Sequence, residues 1–316
     1  MSGASFVEAR RRVESKDRSR RDKRMPVERA AELVRDGDHI AIGGCLYSRT
    51  PWVTLRELLR QRRRDLTLSR NLLCYEGELF MVAGAARGIV TSWAGIGLPW
   101  GLSRIVREFV ESGRVHFDEW SHLALGLRYR AAAMGIPFLP TLSMLGSDLL
   151  ARAGARTMIC PFTGERLCLV PALFPDVALL HVHRADPFGN AQIDGYPHMD
   201  ADLAVAAATV IVSAEEIVDP EDLRRHADRT IIPFFAVDAV IEAPYGAYPH
   251  ECYGLYEADL AHIDAYARGV ASGGADAVHR YLDDYVYGPE TFDAYLERFG
   301  LSRLLERRRA AQELSR

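Results

Sequence analysis

The sequence predicts an α/β fold, in which an open, mostly parallel sheet with crossover helices is followed by a helical C-terminal segment. Three observations support this prediction. Short apolar runs typical of buried strands alternate with amphipathic helical patterns along the chain. The first apolar run leads through two glycines into a helix, the strand–turn–helix order that parallel sheets require. Beyond residue 272 the pattern is mostly helical.

The predicted elements follow one another without an internal repeat or a clear linker. An amphipathic helix covers 27–37, where Gly37 suits a left-handed cap. A strand at 39–42, a helix beginning at Pro51 and a strand at 65–69 complete the first unit. Further strands are predicted at 88–95, 157–162, 167–173, 177–186, 209–217 and 230–244, and further helices at 102–113, 119–135 and 200–208. We therefore expect a single domain over 25–316.

Composition and charge exclude several classes of protein. The 316 residues are 48% hydrophobic and 26% charged, with a formal net charge of -4, which disfavours nucleic acid as a partner. The sequence has no apolar run of about 18 residues, so no membrane span is predicted. Five scattered cysteines without a C-x-x-C pair favour a reduced, cytoplasmic location over disulfides or structural zinc.

The first 24 residues differ from the rest of the chain. They carry nine Lys or Arg against four Asp or Glu and lack the apolar segment of a secretory signal. We predict a basic, disordered extension in preference to a targeting or nucleic-acid-binding arm. Because sequence typical of a folded domain begins at Met25, that residue is an alternative start.

A glycine turn at 43–44 is the most informative local feature. Gly43 and Gly44 follow a strand and precede a helix, so their backbone N–H groups could approach an anion or a thioester oxygen near a helix N-terminus. Neither G-x-G-x-x-G nor the Walker pattern is present. From the residues alone, an anion-binding turn and a plain tight connection remain equal alternatives.

Residues 36–51 resemble the family I coenzyme A-transferase motif. The matching positions are Asp36, Gly37, the apolar residues 40–42, Gly43, Gly44 and Pro51. The sequence departs from that motif with Cys45 in place of phenylalanine and Arg49 in place of glycine. Over about 25–308 the chain resembles the glutaconate-type A subunits of this family, in segments such as "AAAMGIPFLPT", "HRADPFGNAQI" and "VDAVIEAPYGAYPHECYGLY".

This resemblance implies a covalent, ping-pong transfer of coenzyme A from an acyl-CoA to a carboxylic acid, with a dicarboxylic acid as one candidate. A glutamate forms an acyl anhydride and then an enzyme–CoA thioester. In heteromeric members the B subunit carries that glutamate in a Ser-Glu-Asn-Gly-like turn, which this sequence lacks. We therefore expect a homologous B partner, no catalytic nucleophile in this chain, coenzyme A as a substrate and no permanently bound cofactor.

Three residues are weaker candidates for catalysis in this chain. Glu76 lies beside Gly77 in "CYEGELF", although a solvated surface glutamate is the favoured interpretation. Glu119 and His122 lie at the start of a predicted helix, where a ring-opening acyl-CoA hydrolase of the same family could carry an acid or base. A histidine on a helix surface without a catalytic role is the favoured interpretation of His122.

Five residues are candidates for substrate binding. Besides the glycines of the turn, Arg49 is a planar cation suited to a carboxylate, with an exposed salt bridge as the equal alternative. Ser147 and Asn190 follow predicted strands, where ligands of open sheets bind, but each could instead cap a turn. The full set is Gly43, Gly44, Arg49, Ser147 and Asn190.

Two further clusters contain chemically versatile residues. His181 and His183 share one face of a strand near Asp186 and Asp194, and satisfied core histidines are favoured over a metal site, so no metal is expected. The segment 242–256, here called the tyrosine loop, contains His250-Glu251-Cys252, whose three consecutive side chains cannot easily converge on one ion.

Prolines and tyrosines in the tyrosine loop suit a rigid surface that faces a substrate or a neighbouring chain. The resemblance implies that Tyr245, Gly246 and His250 lie near the active site or the interface with the B subunit. A non-enzymatic sensor of small ligands is the remaining alternative, since related α/β folds also bind effectors.

Overall fold

The computed structural model describes residues 5–97 and 99–314, and these residues contain 13 strands and 12 α-helices. The strands are β1 (His39–Ile42), β2 (Leu66–Leu73), β3 (Ala86–Gly97), β4 (Gly101–Leu102), β5 (His116–Glu119), β6 (Phe138–Thr141), β7 (Arg156–Ile159), β8 (Arg166–Pro171), β9 (Val177–Ala185), β10 (Ala191–Gln192), β11 (Thr209–Ile217), β12 (Thr230–Ile232) and β13 (Ala239–Glu242). The helices are α1 (Phe6–Glu14), α2 (Val27–Ala31), α3 (Trp52–Arg60), α4 (Tyr75–Val82), α5 (Arg104–Glu111), α6 (His122–Ala133), α7 (Leu149–Arg152), α8 (Asp200–Ala206), α9 (Pro220–Arg224), α10 (Leu260–Leu282), α11 (Phe292–Glu297) and α12 (Leu301–Leu314).

Parallel pairing dominates the main sheet, as the sequence predicts. Strands β13, β11, β9, β1, β2, β3 and β5 are neighbours in that order, and each pair is parallel. Short antiparallel strands β4, β10 and β12 extend this sheet. Its two faces hold separate cores, because Ile40 and Ile42 pack into one hydrophobic cluster and Ala41 packs into the other. Burial on both faces explains why the strands are continuous apolar runs.

The chain reverses its direction of travel across the sheet between β1 and β9. From β1 it proceeds through β2 to β3 on one side, whereas β9 is followed by β11 and β13 on the other. In open α/β sheets ligands bind outside the carboxyl ends of the strands at such a switch point. The glycine turn directly follows β1 at that edge.

Three of the predicted strands need correction. The segments predicted at 157–162 and 167–173 do not join the parallel sheet, because β7 and β8 form an antiparallel hairpin that pairs with β6 in a separate sheet. The connection between them is too short for a parallel crossover. The strand predicted at 230–244 is divided into β12 and β13 by a 3-10 turn.

The N-terminal segment differs from the predicted disordered extension over its described residues, 5–24. Helix α1 has a capping box at Ser5, and the Lys16 ammonium lies 2.6 Å from Asp238 with its side chain 6% exposed. The backbone N–H of Val240, in the edge strand β13, donates to the Lys23 carbonyl, and the Met25 N–H donates back to the Val240 carbonyl. Basic residues therefore find specific partners on the sheet, which composition alone does not reveal.

The C-terminal part is helical, in agreement with the sequence. Helix α10 is interrupted at Gly274, where φ is 53°, and α11 and α12 follow it. Among the described residues, no helix combines the length and the apolar character needed to cross a bilayer.

Candidate active site

The glycine turn packs closely against the backbone, most tightly at Gly44. The Gly44 N–H donates to Asp200 Oδ1 at 2.8 Å, and the Gly43 N–H donates to the Leu179 carbonyl at 2.8 Å. Gly44 has a φ of +64°, and a Cβ there would lie 2.0 Å from the Ser48 carbonyl oxygen. The two N–H groups therefore have internal acceptors, and the glycines permit the tight path of the turn.

Arg49 is buried and bound to an internal carboxylate. Its Nη1 lies 2.5 Å from Asp200 Oδ2 and donates to the His181 carbonyl at 2.9 Å, and Nη2 donates to the Tyr196 carbonyl. The side chains of Arg49 and Asp200 are 1% and 0% exposed. The structure thus shows a salt bridge, but a buried one between two side chains of this chain, where the sequence suggested either an exposed pair or a contact with a substrate carboxylate.

A buried group of four side chains, here called the sealed network, holds the segment between the glycine turn and α3 at Thr50. Arg70 Nη1 donates to Glu76 Oε1 at 2.6 Å, and its Nη2 donates to Thr50 Oγ1 at 2.9 Å. Thr50 Oγ1 in turn lies 2.6 Å from Nδ1 of His250. Burial, with a smaller contribution from Arg70, holds the pKa of His250 well below its usual range, so the ring is neutral.

Glu76 does not have the solvated position that the sequence favoured. It lies in the first turn of α4, is 0% exposed and also accepts a hydrogen bond from the Cys74 N–H. Within the described part of the chain, Glu76 Oε2, Arg70 Nε and His250 Nε2 are buried without a hydrogen-bond partner. Arg70 and the backbone of residue 74 therefore hold the Glu76 carboxylate in the interior.

The tyrosine loop lies directly against the turn. The Arg49 N–H donates to the Glu251 carbonyl at 2.9 Å, and His250 belongs to the sealed network. Glu215 fixes the start of the loop by accepting hydrogen bonds from the N–H groups of Tyr245 and Gly246 at 2.7 and 3.2 Å. The structure therefore brings Tyr245, Gly246 and His250 together beside the carboxyl edge of the sheet.

Histidines 181 and 183 are both satisfied by protein partners. His181 lies 2.8 Å from Ser213 Oγ and 2.7 Å from Glu215 Oε1 through its two ring nitrogens, and His183 Nε2 lies 2.9 Å from the carbonyl of residue 253. Cys252 completes a cluster of potential metal ligands with His181 and Glu215, all within 4.8 Å of one another. Burial raises the pKa of the Cys252 thiol well above its usual value, which keeps it protonated and a poor ligand. We interpret the cluster as a hydrogen-bonded core.

Ser147 and Asn190 have local roles. Ser147 Oγ donates to the Met144 carbonyl at 2.9 Å within its own turn. Asn190 Nδ2 donates to Asp186 Oδ2, and its Oδ1 accepts from the Phe234 N–H, so its amide closes the connection between β9 and β10. Both residues adopt the turn-capping alternative.

A cavity of about 240 Å³ opens at the carboxyl end of β2 and the middle of β3, beside the turn. We call it the edge cavity. Ser92 Oγ lies 3.4 Å from His122 Nδ1 at its polar end. Glu119 ends β5, and α6 begins only at His122 with Ser121 as its cap, which corrects the predicted start of that helix. The cavity is lined by Leu46, Leu72, Ser92, Trp93 and His122.

Sequence reasoning found His122 but missed the other lining residues and Asp200. Trp93 belongs to an apolar run that predicts only burial, the two lining leucines have no distinguishing pattern around them, and Asp200 resembles an ordinary acidic residue at a helix N-terminus. Its partner Arg49 is 151 positions away, and no local pattern connects the two.

Comparison with protein families identifies the class of protein. The family model for coenzyme A transferase matches residues 23–243, and the chain therefore belongs to the coenzyme A transferase family. The resemblance seen in the glycine turn is confirmed across most of the chain.

Relatives within that family are A-type subunits. The chain is 32% identical to the A subunit of glutaconate CoA-transferase from Acidaminococcus fermentans, over 87% of this chain and 91% of that protein. The crystal structure of that enzyme superimposes with a TM-score of 0.85, covering 90% of this chain and 94% of the other. The A subunit of 3-oxoadipate CoA-transferase from Pseudomonas knackmussii is 33% identical over 85% of this chain and 94% of its own length. The IpdA subunit of a cholesterol ring-cleaving hydrolase from Rhodococcus jostii is 31% identical over 89% of this chain and 98% of its own length.

Proposed function

We propose that this chain is the A subunit of a heteromeric CoA-transferase and that a homologous B subunit supplies the nucleophilic glutamate. The observation that carries the proposal is its likeness, along nearly its whole length, to the A subunit of glutaconate CoA-transferase, at 32% identity and a TM-score of 0.85. The name of that relative describes one subunit of a larger enzyme.

Internal hydrogen bonds of the local glutamates support a nucleophile on another chain. Glu76 is paired with Arg70, and Glu215 accepts hydrogen bonds from Tyr245, Gly246 and Tyr256. A carboxylate must be free to approach a thioester carbonyl before it can act as a nucleophile. These two acids, the ones bound into the network around the turn, lack that freedom.

Chemistry of this class proceeds in two half-reactions. The partner's carboxylate attacks the acyl-CoA thioester, CoA thiolate leaves, and a mixed anhydride forms. The thiolate then attacks the glutamyl carbonyl, which releases the free acid and leaves an enzyme–CoA thioester. A second acid accepts CoA by the reverse steps. In this scheme the edge cavity holds the acyl group, and the ordered turn beside it fixes the wall that faces the glutamate.

Purification with the B chain tests the proposal. The complex should exchange CoA between two carboxylic acids, and this chain alone should not. After incubation with an acyl-CoA in the absence of acceptor, mass spectrometry should find the CoA adduct on a glutamate of the B chain. An adduct on this chain, or exchange by this chain alone, would contradict the assignment.

One observation favours a second candidate, a subunit of a ring-opening acyl-CoA hydrolase. His122 lies at the mouth of the edge cavity with Ser92 beside it, a placement open to a general base. A hydrolase would consume a cyclic acyl-CoA without a carboxylic acid acceptor, and His122→Gln would abolish that activity. Exchange that persists in His122→Gln, without ring opening in the wild type, excludes this candidate.

A further inference from the structure

We infer that the edge cavity selects acyl groups whose far end carries no charge, so that a monocarboxylic acyl-CoA is used in preference to a dicarboxylic one. This inference rests on the proposed function, because it assigns the cavity to the acyl part of a CoA thioester. It differs from the substrates in the names of the two CoA-transferase relatives.

The lining of the cavity provides the first argument. Leu46, Leu72 and Trp93 are half-buried apolar side chains, and Ser92 and His122 form its single polar end. Within the described chain, the lining contains neither lysine nor arginine. A carboxylate moved from water into such surroundings loses its hydration without gaining an ionic partner, which is strongly unfavourable.

The two arginines closest in sequence to the lining leucines are unavailable. Arg49 follows Leu46 by three residues, and Arg70 precedes Leu72 by two. Both side chains are almost completely buried. Arg49 is paired with Asp200, and Arg70 is paired with Glu76. To bind a substrate carboxylate, either guanidinium would have to leave a buried ion pair, which is costly.

Two other titratable groups beside the turn, His198 and Cys45, are neutral. Burial, and then the field of Arg49, lowers the pKa of His198 to about 4. Burial raises the pKa of the Cys45 thiol. At neutral pH the ring and the thiol therefore carry no charge. The Ser92 hydroxyl donates to the Asn71 carbonyl, so its oxygen can accept from a substrate hydroxyl, and a protonated ring nitrogen of His122 can donate to a hydroxyl or keto oxygen. The class therefore extends to short acyl chains that bear such a group.

A matched pair of thioesters tests this selectivity with the complete complex of this chain and its B subunit. Pentanoyl-CoA and glutaryl-CoA have the same chain length and differ by one terminal carboxylate. We expect kcat/KM for pentanoyl-CoA to be about tenfold or more higher, because the lining that this chain supplies lacks a partner for the second carboxylate. Dissociation constants of both esters from calorimetry should show the same order.

Two substitutions at one position sharpen the test. His122→Arg places a permanent cation at the polar end of the cavity and should reduce or reverse the preference by about tenfold. His122→Gln retains polarity without charge and serves as the matched control, with the preference unchanged.

The outcomes separate this inference from the proposed function. Tighter binding or faster exchange of glutaryl-CoA by the wild type overturns the inference, although transfer itself stands. Absence of exchange with tighter binding of pentanoyl-CoA overturns the transferase assignment and leaves the selectivity in place. Failure of both esters to bind overturns both.

Discussion

The two sides of the glycine turn use opposite chemistry. On the sealed side, Arg49 and Arg70 are almost fully buried and each is held by a carboxylate. On the open side, the edge cavity is apolar with one polar end, and Leu46 and Leu72 are only half-buried. The ionic groups of this region therefore hold backbone segments together, and the surface available to a ligand is neutral. An arginine that lies close to a binding site is therefore not necessarily available to bind a substrate.

Breaking a buried pair should have the largest effect. Arg49→Ala leaves Asp200 as an unpaired carboxylate at 0% exposure, and we expect unfolding to become easier by about 3–5 kcal/mol, measured by denaturant titration. CoA exchange by the complex should fall with it, since Asp200 also holds the Gly44 N–H.

An exposed pair supplies the control. Arg64 lies 3.0 Å from Asp36, with side chains 72% and 42% exposed, and Arg64→Ala should cost about 1 kcal/mol or less. Equal losses in the two variants would show that Arg49 and Asp200 are accessible to solvent, and the contrast between the two sides of the turn would then fail.

Gly44→Ala should have the next largest effect. A methyl group at φ +64° is strained, and its carbon would lie 2.0 Å from the Ser48 carbonyl, so the turn must shift. We expect a loss of about 2–4 kcal/mol from strain and overpacking together. Gly37→Ala is the control, because φ is +88° there but no atom lies within 4 Å of the added carbon. If calorimetric unfolding showed the same loss in both variants, close packing of the turn would not be the cause.

Lowering the pH should reduce the free energy of unfolding over a defined range. Burial lowers the pKa of His39 and His262 to about 4, below the value of about 6.5 in an unfolded chain. Between these values the unfolded state binds more protons, so the free energy of unfolding falls as pH drops from about 6.5 to about 4. Each histidine contributes a slope of about 1 kcal/mol per pH unit.

Urea titrations across that range measure the slope directly. His39→Asn should reduce it by the share of one histidine, whatever the variant does to absolute stability. A flat profile in the wild type between these pH values would mean that the pKa of the buried histidines is not lowered in the folded state.

The sequence anticipated the architecture far better than the chemistry of the site. Apolar runs and the Gly43–Gly44 turn predicted the parallel sheet, because burial on both faces leaves a local pattern. The sequence wrongly assigned β7 and β8 to the parallel sheet, because the composition of a strand does not show which strand it pairs with. Arg49 and Glu76 were assigned to solvent or substrate because their partners lie elsewhere in the fold, and pairs of this kind leave no periodic signal.

Two leucines of the same strand give the most discriminating contrast, and the substitution in the cavity should have the smallest effect on stability. Leu68 is 0% exposed in the core, and Leu68→Ala should cost about 2–5 kcal/mol. Leu72 lines the edge cavity and is half-buried, so Leu72→Ala should cost about 1 kcal/mol or less. For substrate choice, Leu72→Ala should have the larger effect of the two. It enlarges the cavity and should raise kcat/KM for longer acyl-CoAs relative to pentanoyl-CoA. Leu68→Ala should leave that ratio unchanged. A large loss of stability in Leu72→Ala with an unaltered acyl preference would place Leu72 in the core and remove it from the acyl site.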